Sequence, residues 1–204
     1  MIGIIDYGMG NIASVKNAFD YLGIPSSLIN SPKEFKKVNK LVLPGVGAFG
    51  QAMNNLKKLQ LDIQLKEDVL DQRKPLLGIC LGMQLMLSSS SEHGRHEGLN
   101  LVNGQVLDFN DKVETLSVPH IGWNEVDISS NSPLGKGLGE GSHSFYFVHS
   151  FYCQLDDSTH VSGKTHYEIE FHSMFESDHI FGCQFHPEKS QDKGLLLLKN
   201  FHNL

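Results

Sequence analysis

The stretch Pro75-Leu76-Leu77-Gly78-Ile79-Cys80-Leu81-Gly82 decides how the rest of the chain is read. Its apolar part predicts a buried strand over Pro75–Cys80, with a helix beginning near Gly82. Gly78-Ile79-Cys80-Leu81-Gly82 is then G-x-C-x-G at a strand-to-helix junction, the cysteine form of the turn that presents a nucleophile. The spacing has a steric reason: a sharp turn lifts residue 80 off the sheet, and side chains two positions to either side would collide with it or with the next strand. Glycine at 78 and 82 removes those side chains. The helix that follows turns its first N–H groups and positive dipole end toward the cysteine, which favours thiolate over thiol. The N–H of Leu81 points where an oxyanion would form. Alone, the motif also suits a buried structural cysteine; its place between strand and helix favours the nucleophile.

Toward the N-terminus, strand and helix signals alternate. Ile2–Asp6 is a short apolar run ending in the turn Tyr7-Gly8-Met9-Gly10, and Ile12, Val15, Ala18, Phe19 and Leu22 then recur at helical spacing until Gly23 and Pro25. Strands are predicted over Ser26–Ile29 and Lys40–Leu43, the second closed by Pro44-Gly45, and a helical stretch divisible in two over Phe49–Gln72. Such alternation needs crossover connections and a mainly parallel sheet. Past Gly82 the character changes. Strand-like pieces crowd together over Gly104–Phe109, Trp123–Ile128, Phe145–Gln154, Val161–Thr165 and Ile180–His186, with Ser88–Ser91 a loop and Lys193–Leu204 a final helix. No Pro/Gly/Ser-rich linker divides the halves and no repeat is present. The expectation is one domain over residues 1–204, an α/β fold whose mainly parallel central sheet is flanked by helices and carries an antiparallel β extension.

A base for Cys80 stands near the C-terminus, in Phe181-Gly182-Cys183-Gln184-Phe185-His186-Pro187-Glu188. Strand alternation puts Cys183 on one face, in the core, and His186 on the other. Glu188, two residues on, can accept a hydrogen bond from the imidazole. Cysteine, histidine and glutamate together satisfy the logic of a nucleophile, its base and the base's orienter. His93 and His96, flanked by Glu92 and Glu97, have the look of a metal site but sit in a Gly/Ser-rich loop without further ligands, so no metal is expected. His120 and His149 lie in apolar strand-like segments and suit either hydrogen-bonded core positions or the lining of a site.

Bulk properties narrow the function classes. A chain of 204 residues with 40% hydrophobic and 20% charged residues can bury a sizeable core. A net charge of −6 lacks the Lys/Arg excess that a phosphate backbone requires, so no nucleic-acid partner is expected. The cluster around Lys33–Lys40 reads as the solvated face of a short surface helix. Three widely spaced cysteines suit a reducing compartment. No apolar run approaches a membrane span and the N-terminus opens on a strand, so a cytoplasmic protein without membrane contact is expected.

Six blocks, in order along the chain, carry a resemblance to a known family. They are Asp6-Tyr7-Gly8-Met9-Gly10-Asn11, Pro44-Gly45-Val46-Gly47-Ala48-Phe49, Gly78-Ile79-Cys80-Leu81-Gly82-Met83-Gln84, Pro119-His120-Ile121-Gly122-Trp123-Asn124, Tyr146-Phe147-Val148-His149-Ser150 and Gln184-Phe185-His186-Pro187-Glu188-Lys189-Ser190. The chain resembles class I glutamine amidotransferases from end to end, most closely the glutaminase subunits of the imidazole glycerol phosphate synthase type. The resemblance implies a flavodoxin-like fold and a catalytic triad of Cys80, His186 and Glu188. It implies that Val46 and Gly47 supply an oxyanion donor beside Leu81, that Gln84 contacts the amino-acid end of glutamine, and that backbone around Ser150 and Phe151 closes the pocket. It further implies no cofactor, and a heterodimer in which ammonia passes internally to a (β/α)8-barrel cyclase of histidine biosynthesis, faced or gated by Asn11, Trp123, Tyr146 and Lys189. The same likeness implies that the free subunit is nearly inactive, its oxyanion hole incomplete. Two positions depart from the family pattern. Phe151 replaces a common tyrosine, and Glu168 replaces a glycine in what reads as a turn.

Three other readings fit parts of the sequence. Gly8-Met9-Gly10-Asn11-Ile12-Ala13 matches the letter of a dinucleotide fingerprint, but Asn30 and Ser31 stand where its acidic residue belongs. A cysteine hydrolase acting on peptides would use the same triad. A paralogous glutaminase feeding ammonia to another acceptor, such as a surface sugar, would carry the same residues, because ammonia is the product in each case.

Overall fold

The computed structural model describes residues 1–204. Its first half holds β1 (Ile2–Ile5), α1 (Ile12–Tyr21), β2 (Ser26–Ile29), β3 (Lys40–Leu43), α2 (Phe49–Lys58), α3 (Leu61–Lys66), β4 (Leu76–Ile79) and α4 (Leu81–Leu85). Two-residue strands β5 (Ser89–Ser90) and β6 (His96–Glu97) and then β7 (Gly104–Asp108) lead into the second half. There follow β8 (His120–Ile128), β9 (His143–His149), β10 (Phe151–Leu155), β11 (Val161–Tyr167), β12 (Ile169–Ser177), β13 (Ile180–Cys183) and α5 (Gln191–Asn203). Strands β2-β1-β3-β4-β13 run parallel, and β13 hands over to the antiparallel series β12-β10-β7. One mixed sheet therefore spans both halves, as the alternation of signals and the later crowding of strands predict.

The parallel strands β1, β4 and β13 are buried along their whole length, which is why they read as continuous apolar runs rather than alternating ones. Each face of the sheet has its own core. Val15 and Phe19 of α1 and Leu197, Leu198 and Phe201 of α5 pack on one side; Met53 and Leu56 of α2, Leu65 of α3 and Leu85 of α4 pack on the other. Gly23 stops α1 at φ +69°, the left-handed conformation that commonly ends a helix. Lys40 donates to the carbonyls of Phe201 at 3.0 Å and His202 at 2.6 Å, satisfying the open end of α5 and tying it to β3.

Several expectations need correction. The predicted strand Phe145–Gln154 is two strands, because β9 pairs with β8 while β10 pairs with β7 and β12, and the chain changes partners at Ser150. The helical stretch over Phe49–Gln72 does divide in two, α2 and α3, at left-handed Gln60, but its last turn, over Glu67–Asp71, is a π turn. Part of the serine run expected to be a loop pairs instead with β7. The largest omission is β12, the hub between β13, β10 and β11. Its polar residues hide its period of two. They are satisfied by neighbouring strands, since Thr165 donates to Ser173 at 2.8 Å and Leu155 N–H donates to His172 Nδ1 at 3.0 Å. Glu168 does occupy a turn, at φ +57° between β11 and β12, and its carboxylate accepts the N–H groups of Glu114, Thr115 and Leu116.

Candidate active site

β4 delivers Cys80 to the C-terminal edge of the parallel sheet. The residue adopts φ +53° and ψ −112°, a conformation that a side chain rarely tolerates and that surrounding structure must hold. Its N–H donates to Cys183 O at 2.8 Å and its carbonyl accepts Gln84 N–H at 3.2 Å. The flanking glycines have definite obstacles. A Cβ on Gly82 would stand 1.7 Å from Leu43 O, and one on Gly78 would stand 2.8 Å from the backbone carbon of Gly82. Helix α4 is only five residues long, so its aligned dipoles are few. The nearby imidazole is the stronger source of positive charge.

That imidazole belongs to His186, three residues beyond β13. The backbone N–H of His186 donates to Tyr146 O at 2.9 Å, and a single 3₁₀ turn over Pro187–Lys189 returns Glu188 to the same side. Nδ1 lies 2.8 Å from Glu188 Oε1, and both side chains are buried. Because the carboxylate accepts, Nδ1 donates. Nε2 then faces Cys80, buried and without a settled hydrogen-bond partner. Burial works against the charged ring, but the Cys80 sulfur and then Glu188 outweigh it and push His186 up to about 10.

In front of Cys80 opens a cavity of about 290 Å³. Val46, Gly47, Leu81, Gln84, Ser150 and Phe151, the six positions expected to bind substrate or oxyanion, all line it. Gly47 turns at φ +105°, and Tyr7 hydroxyl donates to Pro44 O at 2.9 Å, fixing the start of that segment. Gln84 Nε2 uses both hydrogens, donating at 3.0 Å to Phe151 O and at 3.0 Å to Gln184 Oε1. Gln84 Oε1 is the atom left for the cavity. Gln184 Nε2 in turn reaches Cys80 Sγ at 3.6 Å. Phe151 serves Gln84 through its carbonyl, an atom that tyrosine and phenylalanine share.

Glu92 also lines this cavity, and sequence reading passes over it as a flank of His93. It is buried, and Oε2 accepts Phe49 N–H at 2.7 Å. No feature of its Ser/His-rich surroundings marks it. His149 is a second lining residue, joined to buried His120. No three His, Cys, Asp or Glu side chains stand close enough to hold a metal ion. Cys153 and Cys183 are fully buried free thiols whose pKa values burial pushes up.

Asn11, Trp123, Tyr146 and Lys189 gather beside this site. Trp123 and Tyr146 meet edge to face at 6.2 Å, Lys189 Nζ lies 5.7 Å over the Tyr146 ring, and Asn11 Nδ2 donates to Glu188 Oε1 at 3.3 Å. Trp123 is 49% exposed and its neighbour on the same face, Ile121, 59%.

Against known proteins, the family described as glutamine amidotransferase class-I matches residues 3–203. The chain belongs to the class-I glutamine amidotransferases. An imidazole glycerol phosphate synthase subunit HisH 1 of Campylobacter jejuni strain RM1221 is 49% identical over 204 residues, covering all of both chains. A subunit HisH of Sulfurimonas denitrificans is 49% identical over 203 residues, 98% of this chain and 97% of its own. A solved crystal structure of a glutamine amidotransferase superposes with a TM-score of 0.76 at 15% identity, covering 98% of each chain, which speaks for a shared fold. As a class-I amidotransferase, this chain is an enzyme whose expected α/β architecture is the observed one.

Proposed function

We propose that this amidotransferase is a glutaminase subunit that hydrolyses glutamine at Cys80 and passes the ammonia to a (β/α)8 cyclase forming imidazole glycerol phosphate in histidine biosynthesis. The observation that carries the chemistry is the strained Cys80 on one cavity with the buried His186–Glu188 pair beside it. The names of the full-length relatives carry the pathway.

The sulfur of Cys80 attacks the side-chain carboxamide carbon, forming a C–S bond and an oxyanion. Backbone N–H groups at Leu81 and near Val46–Gly47 receive that charge, each worth roughly 10²–10³ in rate. His186 Nε2 delivers a proton to the nitrogen as the C–N bond breaks, and ammonia leaves behind a γ-glutamyl thioester. The neutral imidazole then takes a proton from water, whose oxygen attacks the thioester. Glutamate departs and the cysteine is restored. Glu188 keeps Nδ1–H pointed at itself and stabilises the charged ring. Glu92, a buried carboxyl group on the cavity wall, suits the α-ammonium of the amino acid, and Gln84 Oε1 offers a second acceptor. The face carrying exposed Ile121 and Trp123 and half-buried Tyr146 suits a docking partner, and Val148 of the same strand face lines the cavity.

Glutamate release is to be measured with the cognate cyclase and its nucleotide ligand, beside Cys80→Ala. Turnover that requires both the cyclase and Cys80 is the expected result. Turnover that needs Cys80 but ignores the cyclase would replace the histidine pathway with another ammonia acceptor. No Cys80-dependent release would refute the glutaminase.

A further inference from the structure

Behind the cavity lies a directed chain of hydrogen bonds that the triad chemistry does not use. Phe151 O can only accept, so His149 Nδ1, 2.8 Å away, must donate to it. In a neutral ring, His149 Nε2 is then an acceptor, and its partner at 2.9 Å, His120 Nδ1, must be the donor. By the same step His120 Nε2 accepts from Asn124 Nδ2 at 3.2 Å. Every role follows from one carbonyl. Both rings are buried, and burial first among the causes holds His120 down to about 4 and His149 to about 3, so both stay neutral. His120 is clamped between Phe147 at 4.8 Å and Tyr167 at 4.0 Å, which fixes its plane.

We infer that His149 and His120 are positioning residues for glutamine, locked as neutral Nδ1–H tautomers that hold the Phe151 carbonyl in the cavity wall. That carbonyl receives Gln84 Nε2 as well as His149, so it sets the amide of Gln84 and thereby which atom Gln84 turns to the substrate. Gln84 and Gln184 extend the same order to Cys80 Sγ. The lock also keeps a second imidazole from acting as a base beside Cys80, since both nitrogens of His149 are engaged. In water the Nε2–H tautomer prevails, so without His120 the ring of His149 is free to flip its proton and face Phe151 O with a lone pair. This inference rests on the glutaminase reading for its substrate but not for its tautomers.

The test has two arms on the full chain. Imidazole ¹⁵N spectra of the wild type, without substrate, should show Nδ1–H for both residues; an Nε2–H signal from either would overturn the inference. Kinetics of glutamate release, with the cyclase and nucleotide present, should show His120→Phe raising KM for glutamine about 5- to 30-fold, the factor of one buried hydrogen bond, with a smaller change in kcat. Phe keeps the ring stacking, and His120→Asn, which can donate from Nδ2 to His149, should restore much of the loss. An active wild type with unchanged KM in His120→Phe would overturn the inference. An inactive wild type with Nδ1–H signals in place would instead overturn the glutaminase reading.

Discussion

Asn11 donates through Nδ2 to Glu188 Oε1 at 3.3 Å, the same oxygen that accepts His186 Nδ1 at 2.8 Å. The residue that leads into α1 thus touches the carboxylate that orients the imidazole, across 177 positions of sequence. Glu188 Oε2 is buried without a partner, so Asn11 supplies one of the few donors this carboxylate has.

Asn11→Ala should therefore lower kcat/KM for glutamine about tenfold, the scale of a hydrogen bond to a charged group. Asn11 makes no side-chain cap to the helix it precedes, so the melting temperature should hardly move. Steady-state kinetics beside a thermal melt separates the two effects; a large fall in melting temperature with unchanged kinetics would contradict the assignment.

Glu92→Gln should raise KM for glutamine about 10- to 100-fold while kcat falls less. The amide oxygen can still accept Phe49 N–H, so the loop stays anchored and only the charge facing the α-ammonium is lost. A substrate analogue lacking the α-amino group should bind both proteins alike.

The imidazole of His186 gives a pH signature. Its folded value of about 10 lies above the ordinary 6.5, so its contribution to stability is complete below pH 6.5 and is lost as pH rises through 10. Cys80→Ala removes the largest cause of the elevation while burial continues to oppose it. In that variant the His186 ring should titrate at lower pH by NMR than in the wild type.

Gly82→Ala places a Cβ on the Leu43 carbonyl, and β3 cannot yield without disturbing its pairing with β1 and β4. The expected cost is about 3 kcal/mol, read from urea unfolding. Gly82→Ala with wild-type stability would mean that the elbow is looser than described.

Much of this was legible in the sequence because backbone demands leave marks on residue type. The glycines at 78 and 82, the buried runs of β1, β4 and β13 and the helical spacing of Ile12, Val15 and Phe19 each follow from a local rule. The cavity wall was legible only through family likeness, since nothing about Val46 or Ser150 alone predicts their meeting. Strand β12 and Glu92 were not legible at all. In both, the polar groups are satisfied by partners far along the chain, Leu155 N–H and Phe49 N–H, and a local window holds no trace of them.

The three thiols have a practical consequence for handling the protein. Cys153 and Cys183 are fully enclosed and held protonated by burial, whereas Cys80 opens on the cavity. A mild alkylating reagent on the folded chain should add one adduct per molecule, at Cys80. Mass spectrometry of that adduct then counts the competent molecules in any preparation, and a second or third adduct reports that the sheet has opened.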